Sequence, residues 1–401
     1  MSNNTVTTLI SACLSIGLCM LAACTTAPGN HPAPRSHATP RSHATPRSHA
    51  TPRGHSTPPV TLPVARKPVG KVGPTSATFV SASTGWLLGV ALCSGPACPL
   101  ELLKTTDGGR AWFPVKPPPT SALSARARPD SVSQVVFANA RDGWAFDPGL
   151  WATHDGGASW RQVDTRGREV TSLAASDGHA VAVLVPCRLF STCGSFQVDT
   201  AAVGSNRWRG VRGADGRGRA AAVTTSGRAA YLSVASAGIT GRLRLLAGPA
   251  SGAARWRALP VPCPQFDLLA LGASRHGTLV LGCGGEPGVG NQLKRAYLPA
   301  NGGRTWRRLA NPPFRGYLGQ VSVTSAGMIF VSGERSDVYI STDSGRSWHS
   351  SPSLLRADYG DGLAATMITN REGFVLQATT HLGQIWLTRD GGRTWLPVTT
   401  R

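Results

Sequence analysis

Short apolar runs of four to seven residues, bounded by glycine, proline or small polar residues, recur along most of this chain. Four follow one another between residues 132 and 163: Val132 to Ala138, Gly143-Trp-Ala-Phe146, Leu150-Trp-Ala-Thr153 and Trp160-Arg-Gln-Val163. Runs of this length and composition read as strands, labelled A to D below. Ala77-Thr-Phe-Val80, Gly85-Trp-Leu-Leu88, Leu100 to Lys104 and Trp112-Phe-Pro-Val115 repeat the set upstream. Leu363 to Ile368, Gly373-Phe-Val-Leu376, Gln384-Ile-Trp-Leu387 and Trp395-Leu-Pro-Val398 repeat it near the C-terminus. No long amphipathic helical period interrupts them, so the expectation is an all-β fold.

One motif marks the period. Thr388-x-Asp390-x-Gly392-x-x-Trp395 has three full matches: Thr105 to Trp112 through Asp107, Thr153 to Trp160 through Asp155, and Ser341 to Trp348 through Asp343. A fifth copy, Asn301-Gly-Gly303-Arg-Thr-Trp306, puts Asn for Asp and Pro299 for the hydroxyl, and Trp208 and Trp256 mark two decayed copies. The tryptophans at 112, 160, 208, 256, 306, 348 and 395 step by 48, 48, 48, 50, 42 and 47 residues. A period in this range means a propeller or solenoid. Seven sets of four strands predict a closed seven-bladed β-propeller over residues 73–401, which leaves few exposed strand edges.

The motif has a mechanical reading. Aspartate followed by glycine is hairpin-turn chemistry: the carboxylate accepts backbone N–H bonds and glycine supplies the positive φ. The tryptophan is expected to open strand D and bury its ring against its own blade. The pattern resembles the Asp box of bacterial-neuraminidase-type (BNR) repeats. That resemblance implies a device joining strands C and D, structural rather than catalytic.

Residues 1–23 contain no charged side chain, and the apolar run Leu9 to Ala23 is short for a membrane span. Its end, Leu21-Ala-Ala-Cys24, resembles a bacterial lipobox, which implies a signal peptide over 1–23 and lipidation of Cys24. An ordinary secretory signal with a chance cysteine is the plainer alternative. Lipidation would supply two or three acyl chains, enough for stable anchoring at the outer face of the cell membrane.

Residues 24–72 read as a tether. Pro-Arg-Ser-His-Ala-Thr starts at Pro34, Pro40 and Pro46, with a variant at Pro52. Such a composition cannot bury a core and favours a disordered, partly polyproline spacer. Polyproline geometry sets successive histidines roughly 19 Å apart, too far to share one metal ion.

The formal net charge is +21, of which residues 1–72 contribute seven cations and no acid, leaving +14 on the remaining 329 residues. Such a balance raises nucleic acid as a partner. An export signal and the lack of any nucleic-acid-binding signature argue against it. An envelope protein or an anionic polymer fits better, with a merely solubilising charge as the bland alternative. No cofactor and no metal are expected, and the chain reads as a monomer.

Cys13, Cys19 and Cys24 fall in the signal, leaving six cysteines in the exported part. An even number there is consistent with disulfides. Fifteen pairings are open, and the blade map prefers Cys93–Cys98, Cys187–Cys193 and Cys263–Cys283, with Cys283 ending strand B of blade five. All three would staple the face that carries the B–C loops and the D–A connections, opposite the aspartate turns. That face also carries the irregular stretches 116–130, 284–292 and 310–318, where binding residues usually sit. Arg126, Arg128, Arg315 and Arg356, with Arg166, Arg168, Arg212, Arg217, Arg219 and Arg308, would ring it and offer a partner-binding rim.

Asp-box propellers include sialidases and other glycosidases, so hydrolysis of an extracellular glycan is the alternative function. No Arg-Ile-Pro precedes the first box, and only five tyrosines and five glutamates are present. The best carboxylate group is Glu334, Asp337, Asp358 and Asp361, on one face of adjacent blades, where an acid/base pair is conceivable. The closer resemblance is to exported propellers related to photosystem II stability and assembly factors, carried by Val135-Val-Phe137, Gly143-Trp144 and Thr153 to Trp160. It implies a non-catalytic binding or assembly scaffold.

Overall fold

A computed structural model describes residues 72–92, 98–123, 128–176, 178–186, 194–218, 220–235, 243–263, 268–274, 277–288, 290–333, 335, 337–351, 362–378 and 383–398. They form a seven-bladed β-propeller, each blade an antiparallel sheet in the order A-B-C-D. Blade two has strands Gln134–Phe137, Gly143–Phe146, Leu150–Thr153 and Arg161–Gln162. Strands B and C there are buried at every position, whereas strand D is exposed at both of its positions. Burial on both sheet faces explains why these segments read as continuous apolar runs rather than alternating ones.

The four full aspartate motifs fold alike between strands C and D. The leading hydroxyl donates to the carboxylate, Thr105 to Asp107 at 2.9 Å, Thr153 to Asp155 at 2.8 Å, Ser341 to Asp343 at 2.8 Å and Thr388 to Asp390 at 2.9 Å. The same hydroxyl oxygen accepts the N–H of the glycine four residues on, as Gly157 does to Thr153 at 3.0 Å. The carboxylate also accepts N–H bonds from the far side of the turn, from Ser159 to Asp155 at 2.9 Å for example. Asp155 is held well below the usual carboxylate range by the Ser159 hydroxyl and amide. In the fifth copy Asn301, Gly302 and Gly303 all take positive φ, so the turn persists without its hydroxyl.

The tryptophans do more than pack on their own blades. Trp160, Trp306 and Trp348 donate indole N–H bonds of 2.8 Å to Lys116, Pro260 and Ala310, which lie just past strand D of the preceding blade. Sequence led us to expect packing on the tryptophan's own blade, and Trp256 and Trp395 do donate within it, to the carbonyls of Pro249 and Gly392; the other three reach across the joint as well. Trp86 of blade one stacks on Phe137 of blade two at 3.7 Å, with planes 4° apart. Around the inner rim, Ser76 of one strand A accepts the N–H of Val135 on the next at 3.1 Å.

Among the described residues, blade one closes on blade seven without an exchanged strand. Val72, Phe79, Leu87, Leu103 and Trp112 share a core with Phe374, Leu376, Ile385 and Leu387. Arg389 donates across the seam to the Gly108 carbonyl at 3.1 Å.

Two blades depart from the expected map. Strand D of blade three is broken: Arg209–Gly210 and Gly216–Arg217 both pair with strand C, Ser195–Ala202. Between them the Asp215 carboxylate accepts the Val198 N–H at 2.9 Å, patching the gap in the ladder. In blade five, residues 284–292 are not an irregular insertion. Strand B runs Leu279–Gly288 and strand C Asn291–Ala300, so Cys283 sits mid-strand rather than at its end. Cys263 and Cys283 are bonded, with Cα atoms 6.5 Å apart and neither residue exposed. Cys98 is also disulfide-bonded. Cys93, Cys187 and Cys193 lie outside the described residues, as does Cys24.

Candidate functional site

The propeller's connectivity puts B–C loops and D–A connections on one face and the aspartate turns on the other. In the D–A connections Arg128, Arg166 and Arg315 are exposed and Arg168 is half-buried; Arg212, Arg217 and Arg308 are exposed as well, but Arg217 and Arg308 belong to strand D and Arg212 lies between the two halves of the broken strand D of blade three. Arg128 pairs with Asp130 at 3.3 Å, and Arg166 with the buried Asp199 at 3.6 Å. Arg126, Arg219 and Arg356 lie outside the described residues. Of the proposed carboxylates only Asp337 is described, in the B–C loop of blade six; Glu334, Asp358 and Asp361 are not.

One feature of this face was not anticipated from sequence. Lys294, in strand C of blade five, has no exposed surface. Its ammonium donates to the carbonyl oxygens of Gln292 at 3.2 Å, Phe314 at 3.0 Å, Arg315 at 2.9 Å and Gly316 at 2.7 Å. Burial pushes its pKa down to about 8, while the four oxygens around it act the other way and favour the charged form. The connection from blade five to blade six is thereby drawn onto the blade. Gln292 accepts the Leu318 N–H at 2.9 Å, Asn291 accepts the Gly316 N–H at 3.2 Å, and the Tyr339 hydroxyl donates to the Arg315 carbonyl at 3.1 Å.

With its backbone held inward, the connection turns two side chains outward. Phe314 is 54% exposed and Arg315 is exposed beside it. Arg335, from the B–C loop of blade six, lays its guanidinium over the neighbouring hairpin tip, where a Cβ on Gly290 would meet Nη1 at 2.8 Å.

A second feature lies in the B–C turn of blade two. Asp147 has a positive φ of 74° and precedes a cis proline. Ser133 donates to its carboxylate at 2.5 Å. Burial, with Glu169 nearby as a smaller contribution, raises the Asp147 pKa to about 6, against the lowering effect of Ser133. Asp147-Pro148-Gly149 is a turn signal in the sequence, but the burial of its carboxyl is not legible there. Among the described residues no group of histidine, cysteine and acidic side chains could hold a metal, and no helix is long and apolar enough to cross a membrane.

No protein-family model matches the sequence, and no curated protein matches it significantly. Solved structures are similar in fold. The structure of YCF48 bound to D1 peptide matches with a TM-score of 0.53 at 16% identity, over 80% of this chain and 94% of that one. The β-propeller domain of the Trilobed protease from Pyrococcus furiosus, described as having an open velcro topology, matches at 0.54 and 9% identity, covering 82% and 96%. A puromycin hydrolase matches at 0.54 and 14% identity, over 84% of this chain and 57% of that one. At these identities the likeness concerns the propeller alone.

Proposed function

We propose that the chain is an extracytoplasmic propeller lipoprotein, anchored through Cys24, that holds a protein partner on its loop face without catalysing a reaction. The observation that carries this reading is the Lys294-tied connection, which presents Phe314 and Arg315 outward on an immobilised backbone. A preset aromatic and a guanidinium are the side chains from which binding hot spots are most often made. The tether would give the propeller reach from the membrane, and the aspartate turns on the other face would serve folding. That the YCF48 structure holds a peptide is consistent with this use of a propeller.

The test is photo-cross-linking of the full chain in its native envelope. A photoreactive residue at position 128 or 315 should capture the same partner, and one at position 158 on the opposite face should capture none. Equal capture from both faces would reject the proposal.

Glycan hydrolysis has one feature in its favour, the Asp147 carboxyl held by Ser133 in the B–C turn of blade two, where burial raises its pKa in the direction a general acid requires. Release of reducing sugar by the wild type, abolished by Asp147→Asn, would establish that activity in place of the scaffold.

A further inference from the structure

We propose that six exposed arginines on the outer wall of the propeller, where blades three and four meet, form a stripe that binds a linear phosphate-bearing polymer. This site is separate from the loop face, which can hold a protein whether or not the wall holds a polymer.

The excess charge of the propeller is concentrated here. Residues 200–266 hold ten arginines and one acid, Asp215, which places +9 of the propeller's +14 in 67 residues. Blade four, with strands Ala220–Ser226, Ala229–Ala235, Leu243–Pro249 and Arg257–Leu259, contains no acid at all. The Asp215 carboxylate is already engaged by the Val198 N–H at 2.9 Å, and Asp199, just outside the stretch, is buried and paired with Arg166. The positive field reaches His179 on strand B of blade three, whose pKa is held below its ordinary value by burial and, second, by Arg209.

Folding gathers six of these side chains at one joint. Arg209, Arg212 and Arg217 come from the broken strand D of blade three, Arg244 from strand C of blade four, and Arg255 and Arg257 from the turn and strand D that follow it. All six are exposed, and among the described residues none is in an ion pair. Contacts cross the joint along its length. Arg244 Nη2 donates to the Arg217 carbonyl at 2.8 Å, the Trp256 N–H to the Arg212 carbonyl at 2.9 Å, and Arg209 Nη2 to the Ser251 carbonyl at 2.9 Å. Gly213 takes a φ of 80°, and a Cβ there would lie 2.8 Å from Arg255 Cγ, so Arg255 rests against that turn. Arg217 stands opposite Ser195 of strand C and Arg209 opposite Thr200. Five residues of extended chain separate those two levels, about 17 Å, so the guanidinium groups run as a stripe up the wall rather than as a round patch.

The chemistry of the stripe selects its occupant. Among the described residues no large apolar side chain of blades three and four is exposed, so a protein segment finds no anchor and a bilayer receives no inserted group. What the wall offers is guanidinium groups on both sides of a joint, and their forked N–H donors match phosphate oxygens. Two of them, Arg209 and Arg244, are held by backbone carbonyls and keep further N–H groups for a ligand. The two free oxygens of a phosphodiester diverge tetrahedrally, so one phosphate can take a donor from each blade. The coplanar oxygens of a carboxylate are met by a single guanidinium. A linear chain laid along the stripe engages several arginines at once, and its affinity comes from released counterions.

The test is binding of inorganic polyphosphate of graded length to the full chain at several salt concentrations. Affinity is expected to rise by about tenfold or more from triphosphate to a long chain, because only the long chain spans the stripe. Arg212→Gln with Arg257→Gln, two exposed positions whose loss should leave the melting temperature unchanged, is expected to weaken the long chain about tenfold. The same pair should reduce the slope of log affinity against log salt by roughly one to two. Arg161→Gln with Arg393→Gln, equally exposed on blades two and seven, removes the same charge elsewhere and should change binding by less than about twofold. Equal weakening by the two pairs would overturn the stripe in favour of net charge. Polyglutamate bound as tightly as polyphosphate would overturn the assignment to phosphate. Binding of phosphatidylglycerol vesicles, lost in the Arg212 and Arg257 pair, with polyphosphate bound weakly at every length, would overturn the polymer in favour of a lipid surface. None of these outcomes alters what cross-linking at position 128 captures, so the loop-face reading stands or falls separately.

Discussion

Lys294 Nζ lies 2.7 Å from the carbonyl oxygen of Gly316, 22 residues away in sequence, in a site closed to solvent. A charge buried this way is stable only while its partners remain in place. Lys294→Met keeps the bulk but leaves the carbonyls of Gln292, Phe314, Arg315 and Gly316 without this donor. The variant should lose roughly 2–4 kcal/mol. Hydrogen exchange should rise in residues 310–318 before it rises elsewhere. Urea denaturation and exchange mass spectrometry measure both, and an unchanged exchange pattern would contradict the role given to the lysine.

Asp147 supplies a pH dependence. Its pKa is raised from 3.8 to about 6, so between those values the folded chain keeps a proton that the unfolded chain releases. Its contribution to stability is therefore fully present below about pH 4 and lost as pH rises through 6. Asp147→Asn should flatten the stability profile across that window. At pH 7 it should exceed the wild type by about 1–2 kcal/mol, after allowance for partial exposure. Denaturation midpoints at several pH values check this, and parallel profiles would refute it.

The aspartate turns should matter for stability alone. Asp155→Ala removes acceptors used by Thr153 and by the Ser159 amide and hydroxyl. The expected loss is about 1–3 kcal/mol, seen as a lower melting temperature. Thr153→Val should lose a comparable amount, because the Thr153 oxygen also accepts the Gly157 N–H. A melting temperature unchanged in both would remove the turn from the account.

The Cys263–Cys283 bridge closes a sequence separation of 20 residues. Loop-closure entropy puts its contribution at about 3 kcal/mol. Replacing both cysteines with alanine should lower stability by that order without altering blade number. Peptide mapping that finds free thiols at these positions would contradict the pairing.

Much of the fold was legible in the sequence because one turn recurs. Each Thr-x-Asp-x-Gly-x-x-Trp copy must end a strand, reverse the chain and open another, so the tryptophan spacing measures the blade. The reach of Trp160 to Lys116 across the blade joint was not legible, because spacing says nothing about which neighbour a ring meets. Nor was the long hairpin of blade five, where Gly282 and Gly284 mimic a loop. They are small because a Cβ would lie 2.6 Å from Val321 Cγ1 and 2.5 Å from Gln292 Oε1, respectively. Lys294 was missed for a related reason: a lone lysine in a strand reads as a solvated position, and its four acceptors come partly from a distant connection. The blade map led us to expect an arginine rim, of which Arg126, Arg219 and Arg356 lie outside the described residues and Arg212, Arg217 and Arg308 fall at strand D; the exposed ring of Phe314 was not anticipated. Nothing in the sequence distinguishes a phenylalanine facing solvent from one facing the core.

The most direct measurement is the equilibrium affinity of the full chain for the partner captured at position 128, at low and at high salt. Under this account Asp155→Ala lowers the melting temperature but leaves affinity per folded molecule intact. Arg126→Glu with Arg128→Glu does the reverse: stability is kept, and affinity falls more at low salt than at high salt because exposed charges are screened. Affinity lost with Asp155→Ala and untouched by the arginine reversals would place the binding site on the aspartate-turn face and contradict it.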